Sequence, residues 1–248
     1  MDLPPHAPKV VASACRYWRD RAPRGGPIVA TIDLIRAFWA FARDSTRWRL
    51  RQRYGDADYD WDFRVNTSSA AVGWRDRLLG VFHSPYQPTE PGLFREMVDE
   101  LRRLTNIRFA DFTFIDLGSG KGRTLLMASE YPFRRIVGVE LLASLNRIAE
   151  QNLAHYKSDS QKCFSLESVC GDASGFHFPA GPMLIYLFNP LPESGLRQTL
   201  ANLASDLALG PRPVYVLYHN PLLEGLLLEG GWSKLGGTHQ YSIFRFVL

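Results

Sequence analysis

The sequence predicts an α/β protein built on a doubly wound, mostly parallel sheet, with an N-terminal, mostly helical extension. Two observations predict it. From residue 112 onward, short apolar runs alternate with runs of helical periodicity, the pattern of a parallel sheet covered on both faces. The right-handed crossover rule then winds that sheet in both directions. Three of the apolar runs also lead into an acid: Asp116, Glu140 and Asp172, the first followed by a glycine turn at Gly118, Gly120 and Gly122. Ligands of such sheets bind beyond the C-terminal strand ends. That rule places Asp116, Glu140, Asp172, Asn189 and His219-Asn220 along one rim.

Residues 1–27, rich in Pro, Arg and Gly, read as a loose or partly helical arm. Residues 28–54 read as a helix, with Ile32, Ile35, Phe38, Trp39 and Ala42 at helical spacing and Arg36, Arg43, Arg47, Arg49, Arg51 and Arg53 beside them. A basic amphipathic helix carrying Trp and Phe is a candidate for contact with a membrane surface or nucleic acid. The preferred reading is that its aromatic face packs on the domain and its arginines are solvated. Residues 28–85 are taken together as an extension, a lid or acceptor platform, whose Trp39, Trp48, Tyr59, Trp61 and Trp74 either line that lid or form a small core of their own. The main domain is expected over 86–248. It opens with a helix over 93–104, whose Leu93, Met97, Leu101 and Leu104 share a face. Strands are expected at 112–117, 135–139, 164–169, 183–188 and 213–218. Helices are expected at 122–131, 143–156, 193–208 and 222–230, and an antiparallel pair at 232–235 and 241–248 closes the order.

Bulk properties narrow the class. With 248 residues, 46% of them hydrophobic and 22% charged, the chain is an ordinary globular protein. The net charge of +4 is uneven, because residues 1–56 hold eleven Lys/Arg against five Asp/Glu. Cys15, Cys163 and Cys170 have neither an even count nor a metal-binding spacing. Free thiols in a reducing cytoplasm are expected, with no metal. The first residues lack a signal-peptide pattern. The uncharged stretch from Ala173 to Pro192 holds four prolines and reads as loop, buried strand, loop, so no transmembrane segment is expected.

The chemistry expected of the rim follows from residue type. Glycine permits positive φ and close backbone approach to a ligand. The N–H groups at the next helix start favour a negative group, such as a carboxylate. Asp116 can accept hydrogen bonds from a ligand amine. Glu140, 24 positions on, can hold both hydroxyls of a ribose. Asp172 can accept from an adenine amino group. The spacing G-x-G-x-G, with Arg123 where a pyrophosphate turn wants its third glycine, argues against a nicotinamide oxidoreductase.

Phe114-Ile115-Asp116-Leu117-Gly118-Ser119-Gly120-Lys121-Gly122 resembles the first motif of class I S-adenosylmethionine-dependent methyltransferases. Val137-Gly138-Val139-Glu140 is similar to their second motif and Gly171-Asp172-Ala173 to their third. The resemblance implies a seven-stranded Rossmann-like sheet of order 3-2-1-4-5-7-6 with the last strand antiparallel. It implies S-adenosyl-L-methionine as cofactor, with Asp116, Gly118, Ser119, Gly120 and Gly122 at its methionine part. Glu140 and Leu141 would hold its ribose, and Asp172 and Ala173 its adenine. It implies methyl transfer by in-line displacement.

For the acceptor, Asn189-Pro190 is similar to the start of the Asn-Pro-Pro-aromatic motif of amine-directed methyltransferases, with Leu191 and Pro192 in place of its last two residues. Tyr86-Gln87-Pro88-Thr89 resembles a segment that closes over the cofactor in some lysine methyltransferases. Asn189, Pro190, Tyr86 and His219 are thus the candidate catalytic residues, with Asn189 and Thr89 also candidates at the cofactor. His83 is a candidate pocket residue. An amine nitrogen, of a protein lysine or a small molecule, is the expected acceptor. O-methylation of a small metabolite, or a non-catalytic scaffold holding RNA or membrane through the basic helix, are the alternatives.

Overall fold

The computed structural model describes residues 7–44, 57–68 and 87–246. One sheet holds β1 (Thr113–Leu117), β2 (Arg135–Glu140), β3 (Leu166–Cys170), β4 (Met183–Leu187), β5 (Val214–His219), β6 (Trp232–Gly237) and β7 (Tyr241–Phe246). Their order is β3-β2-β1-β4-β5-β7-β6. The first five pair in parallel, and β7 runs antiparallel between β5 and β6. This is the Rossmann-like order that the motifs imply.

Alternate residues of the strands feed two cores, as a pleated sheet buried on both faces requires. Phe114, Leu184 and Tyr186 join Phe94, Met97, Val98 and Leu101 of α3 (Pro91–Leu104) on one face. Ile115, Leu117, Ile185 and Leu187 join Leu196, Leu203 and Leu207 of α6 (Glu193–Leu209) on the other. Helix α3 starts where chemistry favours it: the Glu90 carboxylate accepts from the N–H groups of Gly92 and Leu93, and Pro91 takes the first turn. Its buried stripe is rotated from the expected one. Phe94 and Val98 turn inward, where Phe94 meets the rings of Phe114 and Tyr186, and Leu104 is left exposed. The connecting helices are α4 (Arg123–Ala128), α5 (Ala143–His155) and α7 (Glu224–Glu229). Edge strand β3 starts two residues later than its apolar run suggests, because Phe164 lies on the surface.

The extension differs more. Helix α1 (Ala7–Asp44) begins well inside the stretch read as a loose arm, and it breaks only at Gly26, whose φ of 81° and ψ of 164° are not helical. Trp18 Nε1 donates to Thr31 Oγ1 at 3.2 Å, although a continuous helix would hold these residues about 20 Å apart. The two arms therefore lie side by side. Ser194 Oγ donates to Asp20 at 2.9 Å and ties the first arm to the start of α6. The expectation that the aromatic face of 28–54 packs on the domain is corrected: Ile28, Ile32, Ile35 and Trp39 are exposed. Residues 45–54 of that expected helix, with Trp48, and also His83, Tyr86 and Trp74, lie outside the described residues. Helix α2 (Ala57–Phe63) sends Tyr59 into the core of the sheet domain, beside Phe63 and Tyr156, while Trp61 stays exposed. Among the described residues, Trp39, Tyr59 and Trp61 form no separate core. No helix among the described residues is long and apolar enough to cross a membrane.

Candidate functional site

The glycine turn joins β1 to α4 with Gly118, Gly120 and Gly122 all at positive φ. Its backbone is tied to β2: the N–H groups of Gly118 and Ser119 both donate to Val139 O, at 2.8 and 3.1 Å. Gly122 N–H closes the turn on Ser119 O. Glu140 braces it further. One carboxylate oxygen accepts from Gly120 N–H and the other from Leu142 N–H, both at 2.8 Å. Four amides of the turn are therefore committed inside the protein, which narrows the expectation that they face a bound carboxylate. Ser119 packs back on Gly138, where a Cβ would stand 2.6 Å from its Oγ, and that hydroxyl is buried without a hydrogen-bond partner.

Asp116 is buried at the end of β1, and its carboxyl is pushed up to about 8. Loss of solvent is the main cause; Glu140 adds to it and a hydrogen bond with Thr124 opposes it. A ligand ammonium would reverse that shift, so this position fits an amine-bearing ligand. Asp172 follows β3 and caps a short turn, its Oδ1 accepting from Ser174 N–H and Oγ. Ala173 is buried and Leu141 half-buried beside this end of the rim.

On the other side of β1, Asn189 leaves β4 with φ of +46°, uncommon for a residue other than glycine. Its amide is held at both ends. Tyr218 OH donates to Oδ1 at 2.9 Å, and Nδ2 donates to Asn220 O at 2.6 Å. Asn220 is itself left-handed, with φ of +48°. Pro190 lies directly over the glycine turn, since a Cβ on Gly118 would stand 2.4 Å from Pro190 Cβ. Below, Thr89 Oγ1, Tyr186 OH and His219 Nδ1 form a hydrogen-bonded chain of 2.7 and 2.9 Å. Phe188 stacks on the His219 ring at 3.7 Å, and burial pushes that imidazole down to about 4, so it stays neutral.

Sequence reasoning missed a third group. Lys121 and Arg123, inside and just after the glycine turn, are both buried, and residues 60–68 of the extension receive them. Lys121 Nζ donates to Asn66 Oδ1 at 3.0 Å and to Ser68 O at 2.7 Å. Arg123 Nε donates to Thr67 Oγ1 at 2.6 Å, its guanidinium pairs with Asp60 at 3.3 Å, and it lies over the Tyr59 ring. Asp60 also accepts from the N–H groups of Thr67 and Ser68. Asn152 of α5 joins Asn66 to the turn, donating to Asn66 O and Lys121 O and accepting from Asn66 N–H. Burial lowers the affinity of Lys121 for its proton, with the Asp60 charge opposing that shift. The one sequence signal for this clasp is position: Lys121 stands just before α4 and Arg123 opens it, and all six residues of that helix are buried. Among the described residues, no group of three or more His, Cys, Asp or Glu is placed to hold a metal ion.

The strand order, the glycine turn after β1 and the acids after β1, β2 and β3 are those of class I S-adenosylmethionine-dependent methyltransferases. Residues 86–168, a third of the chain, match the family described as histone methylation protein DOT1. No curated protein matches the chain. Among solved structures, the chain is similar to an RNA methyltransferase from Salinibacter ruber in complex with S-adenosyl-L-homocysteine. That likeness has 20% identity and a TM-score of 0.42, over 64% of this chain and 92% of that one. It is also similar to magnesium protoporphyrin IX methyltransferase from Synechocystis PCC 6803 with bound S-adenosylmethionine, at 12% identity and a TM-score of 0.43, over 64% and 84% of the two chains. A third is the glycopeptide N-methyltransferase MtfA, at 13% identity and a TM-score of 0.46, over 61% and 92%.

Proposed function

We propose that this chain is an S-adenosylmethionine-dependent methyltransferase whose acceptor is an amine nitrogen on a protein. The observation that carries the cofactor is the buried, proton-retaining Asp116 beside a glycine turn braced by Glu140. When bound, S-adenosylmethionine supplies a methyl group already activated on a sulfonium. Asp116 would hold its ammonium, Glu140 its ribose hydroxyls, and Asp172 with Ala173 its adenine. Gly118, Gly120 and Gly122 give room for the methionine part. Ser119 backs the turn and Leu141 would border the ribose.

The match to a histone methylation family supports a protein acceptor, but it ends at residue 168, before Asn189. The acceptor reading therefore rests on the rim of this chain. A lysine amine must be neutral to attack, and its ordinary pKa is about 10.4. Burial among Tyr186, Phe188 and a neutral His219 would lower it. Asn189 Oδ1, fixed by Tyr218 OH, keeps a lone pair for an amine N–H. Pro190 would set the distance between acceptor and glycine turn. Thr89 would orient Tyr186 and, through it, His219. Methyl transfer then needs alignment and exclusion of water, and no covalent intermediate on the protein.

Titration with S-adenosylhomocysteine and with NAD tests the cofactor: binding of the first alone is expected. Incubation with methyl-labelled S-adenosylmethionine and fractionated cell extract tests the acceptor. Label recovered as methylated amine in the protein fraction is expected. Label in small molecules or RNA would replace the protein amine by that class, and full turnover by Asn189→Ala would remove Asn189 from the reaction.

A further inference from the structure

The segment from Tyr218 to Leu223 locks one side-chain amide, that of Asn189. Tyr218 lies near the end of β5 with its ring buried, and the chain turns back at the left-handed Asn220. The turn is held by its own backbone. Leu222 N–H donates to Asn220 O at 2.8 Å, and Asn220 N–H donates to Gln240 O at 2.6 Å. Leu223 N–H donates to Tyr218 OH at 3.3 Å. Main-chain groups cannot exchange roles, so they fix the direction of every bond around Asn189. Asn220 O can only accept, and the Asn189 nitrogen must face it, as it does at 2.6 Å. Leu223 N–H can only donate, so it takes a lone pair of Tyr218 OH and leaves the phenolic proton for Asn189 Oδ1, 2.9 Å away. Burial pushes the Tyr218 hydroxyl up to about 12, with the Leu223 N–H opposing that shift, so the proton stays in place. A flipped amide would set Oδ1 against Asn220 O, two acceptors with no proton between them.

We infer that Tyr218 is a positioning residue which, by locking Asn189, limits the reaction to two methyl groups per amine. The inference rests on the reading of a protein amine as acceptor. The attacking nitrogen points its lone pair at the methyl carbon. The N–C bond forms as the S–C bond breaks, sulfur keeps that electron pair, and the product ammonium then gives a proton to water. A neutral primary amine has two N–H groups and a monomethyl amine has one. Either can donate to Asn189 Oδ1 while it attacks, so two rounds proceed. A neutral dimethyl amine has no N–H, and its protonated form has no lone pair. One of its methyls would stand where the N–H stood. A carbon needs about 3.3 Å from an oxygen where a donor nitrogen sits at about 2.9 Å. Oδ1, held through Tyr218 and through Nδ2, cannot draw back to give that room.

The test joins a product count to a direct view of the amide. The full chain is incubated with methyl-labelled S-adenosylmethionine and cell extract, and the labelled protein fraction is hydrolysed to amino acids. Wild type is expected to yield mono- and dimethyllysine and no trimethyllysine. Tyr218→Phe removes one oxygen and keeps the ring. It is expected to lower kcat for the first transfer by about tenfold with KM for S-adenosylmethionine unchanged, and to let trimethyllysine appear. Nitrogen-15 spectra of the S-adenosylhomocysteine complex give a readout without turnover. The Asn189 side-chain amide should be shifted away from the position of a solvated amide in wild type and return to it in Tyr218→Phe. Asn189→Gly, which suits the left-handed backbone, assigns that signal. It also serves if Tyr218→Phe fails to fold, and it too should yield trimethyllysine. Trimethyllysine from wild type overturns the proposal and leaves the amine reading intact. So does a Tyr218→Phe protein with wild-type kcat and products, or a wild-type Asn189 amide at the solvated position. Label found only in RNA or on small-molecule oxygen overturns the amine reading itself, and the two-methyl limit with it.

Discussion

On the β1–β2 side the rim is made of backbone; on the β4–β5 side it is made of side chains. Gly118, Ser119, Gly120 and Gly122 hold their turn through main-chain N–H groups, with Glu140 bridging two of the amides around it. Asn189, by contrast, holds its place through Tyr218 OH and the Asn220 carbonyl, and His219 through Tyr186 and Thr89. A backbone cradle tolerates change at neighbouring positions and suits a cofactor that never varies. A side-chain rim can be re-cut one residue at a time, which suits an acceptor site. The backbone side is also reinforced from outside, where residues 60–68 grip Lys121 and Arg123.

The largest expected effect breaks that reinforcement. Asp60→Ala removes the carboxylate facing a buried guanidinium and accepting from two backbone N–H groups. Opening a buried pair of this kind costs about 3 kcal/mol. A matching loss in the free energy of urea unfolding is expected, with a weaker affinity for S-adenosylhomocysteine because the turn loses its outer brace. Unchanged stability would mean that the clasp contributes nothing, and the contrast between the two sides would lose its basis.

Asp116→Asn comes next and acts on affinity rather than stability. Losing the carboxylate for a ligand ammonium is expected to weaken S-adenosylhomocysteine binding by about a hundredfold, measured by calorimetry. The pH dependence has a definite sign. Burial raises this carboxyl from 3.8 to about 8, so its contribution to stability is complete below 3.8 and is lost as pH rises through 8. Above pH 8 the variant should therefore be the more stable protein. At pH 7 wild-type Asp116 is protonated, and binding an ammonium should release a proton. Calorimetry in buffers of different ionisation enthalpy would show it, and no proton release would contradict the pairing.

The backbone side was legible because its signals are local. A strand, three glycines and an acid at the end of the next strand all lie between residues 113 and 140 and need no tertiary information beyond sheet topology. The clasp was not, because Asp60 and Arg123 lie 63 positions apart, and Asn66 and Asn152 lie 86 apart. Polar residues of an irregular segment carry no periodic signal, and Lys and Arg are expected on surfaces by type. The acceptor side was half legible. Strand ends placed Asn189 and His219, but not the left-handed backbone at Asn189 and Asn220, nor the hydroxyl of Tyr218 that fixes the Asn189 amide. The α1 stripe failed for a different reason: periodicity finds an apolar face but cannot say whether anything packs on it.

Gly118→Ala probes where the two sides meet. Its φ of +86° disfavours any side chain, and the new methyl would collide with Pro190. A loss of about 2 kcal/mol is expected, with cofactor affinity and turnover falling together as Pro190 is displaced. Gly171→Ala, with nothing within 4 Å of its added carbon, is the control and should change stability by less than about 0.5 kcal/mol. A Gly118→Ala protein that loses cofactor binding but keeps its residual turnover per bound cofactor would separate the two sides.

The smallest expected effect belongs to the side-chain half alone. Burial depresses His219 from 6.5 to about 4, so the folded protein prefers the neutral ring. The stability this contributes is present above pH 6.5 and is lost as pH falls through 4. His219→Gln keeps a polar partner for Tyr186 but cannot titrate. The melting temperature of wild type should therefore fall more steeply than that of the variant between pH 6.5 and pH 4, by about a few degrees at most. Carboxylates such as Glu224, whose affinity for protons is lowered by Ser242 and Lys234, lose stability in acid in both proteins and cancel in the comparison. Because Asp116 titrates upward and His219 downward, cofactor affinity should respond to alkaline pH and the integrity of the acceptor side to acid. If His219→Gln instead altered S-adenosylhomocysteine affinity and left the acid slope unchanged, the imidazole would belong to the cofactor side of the rim.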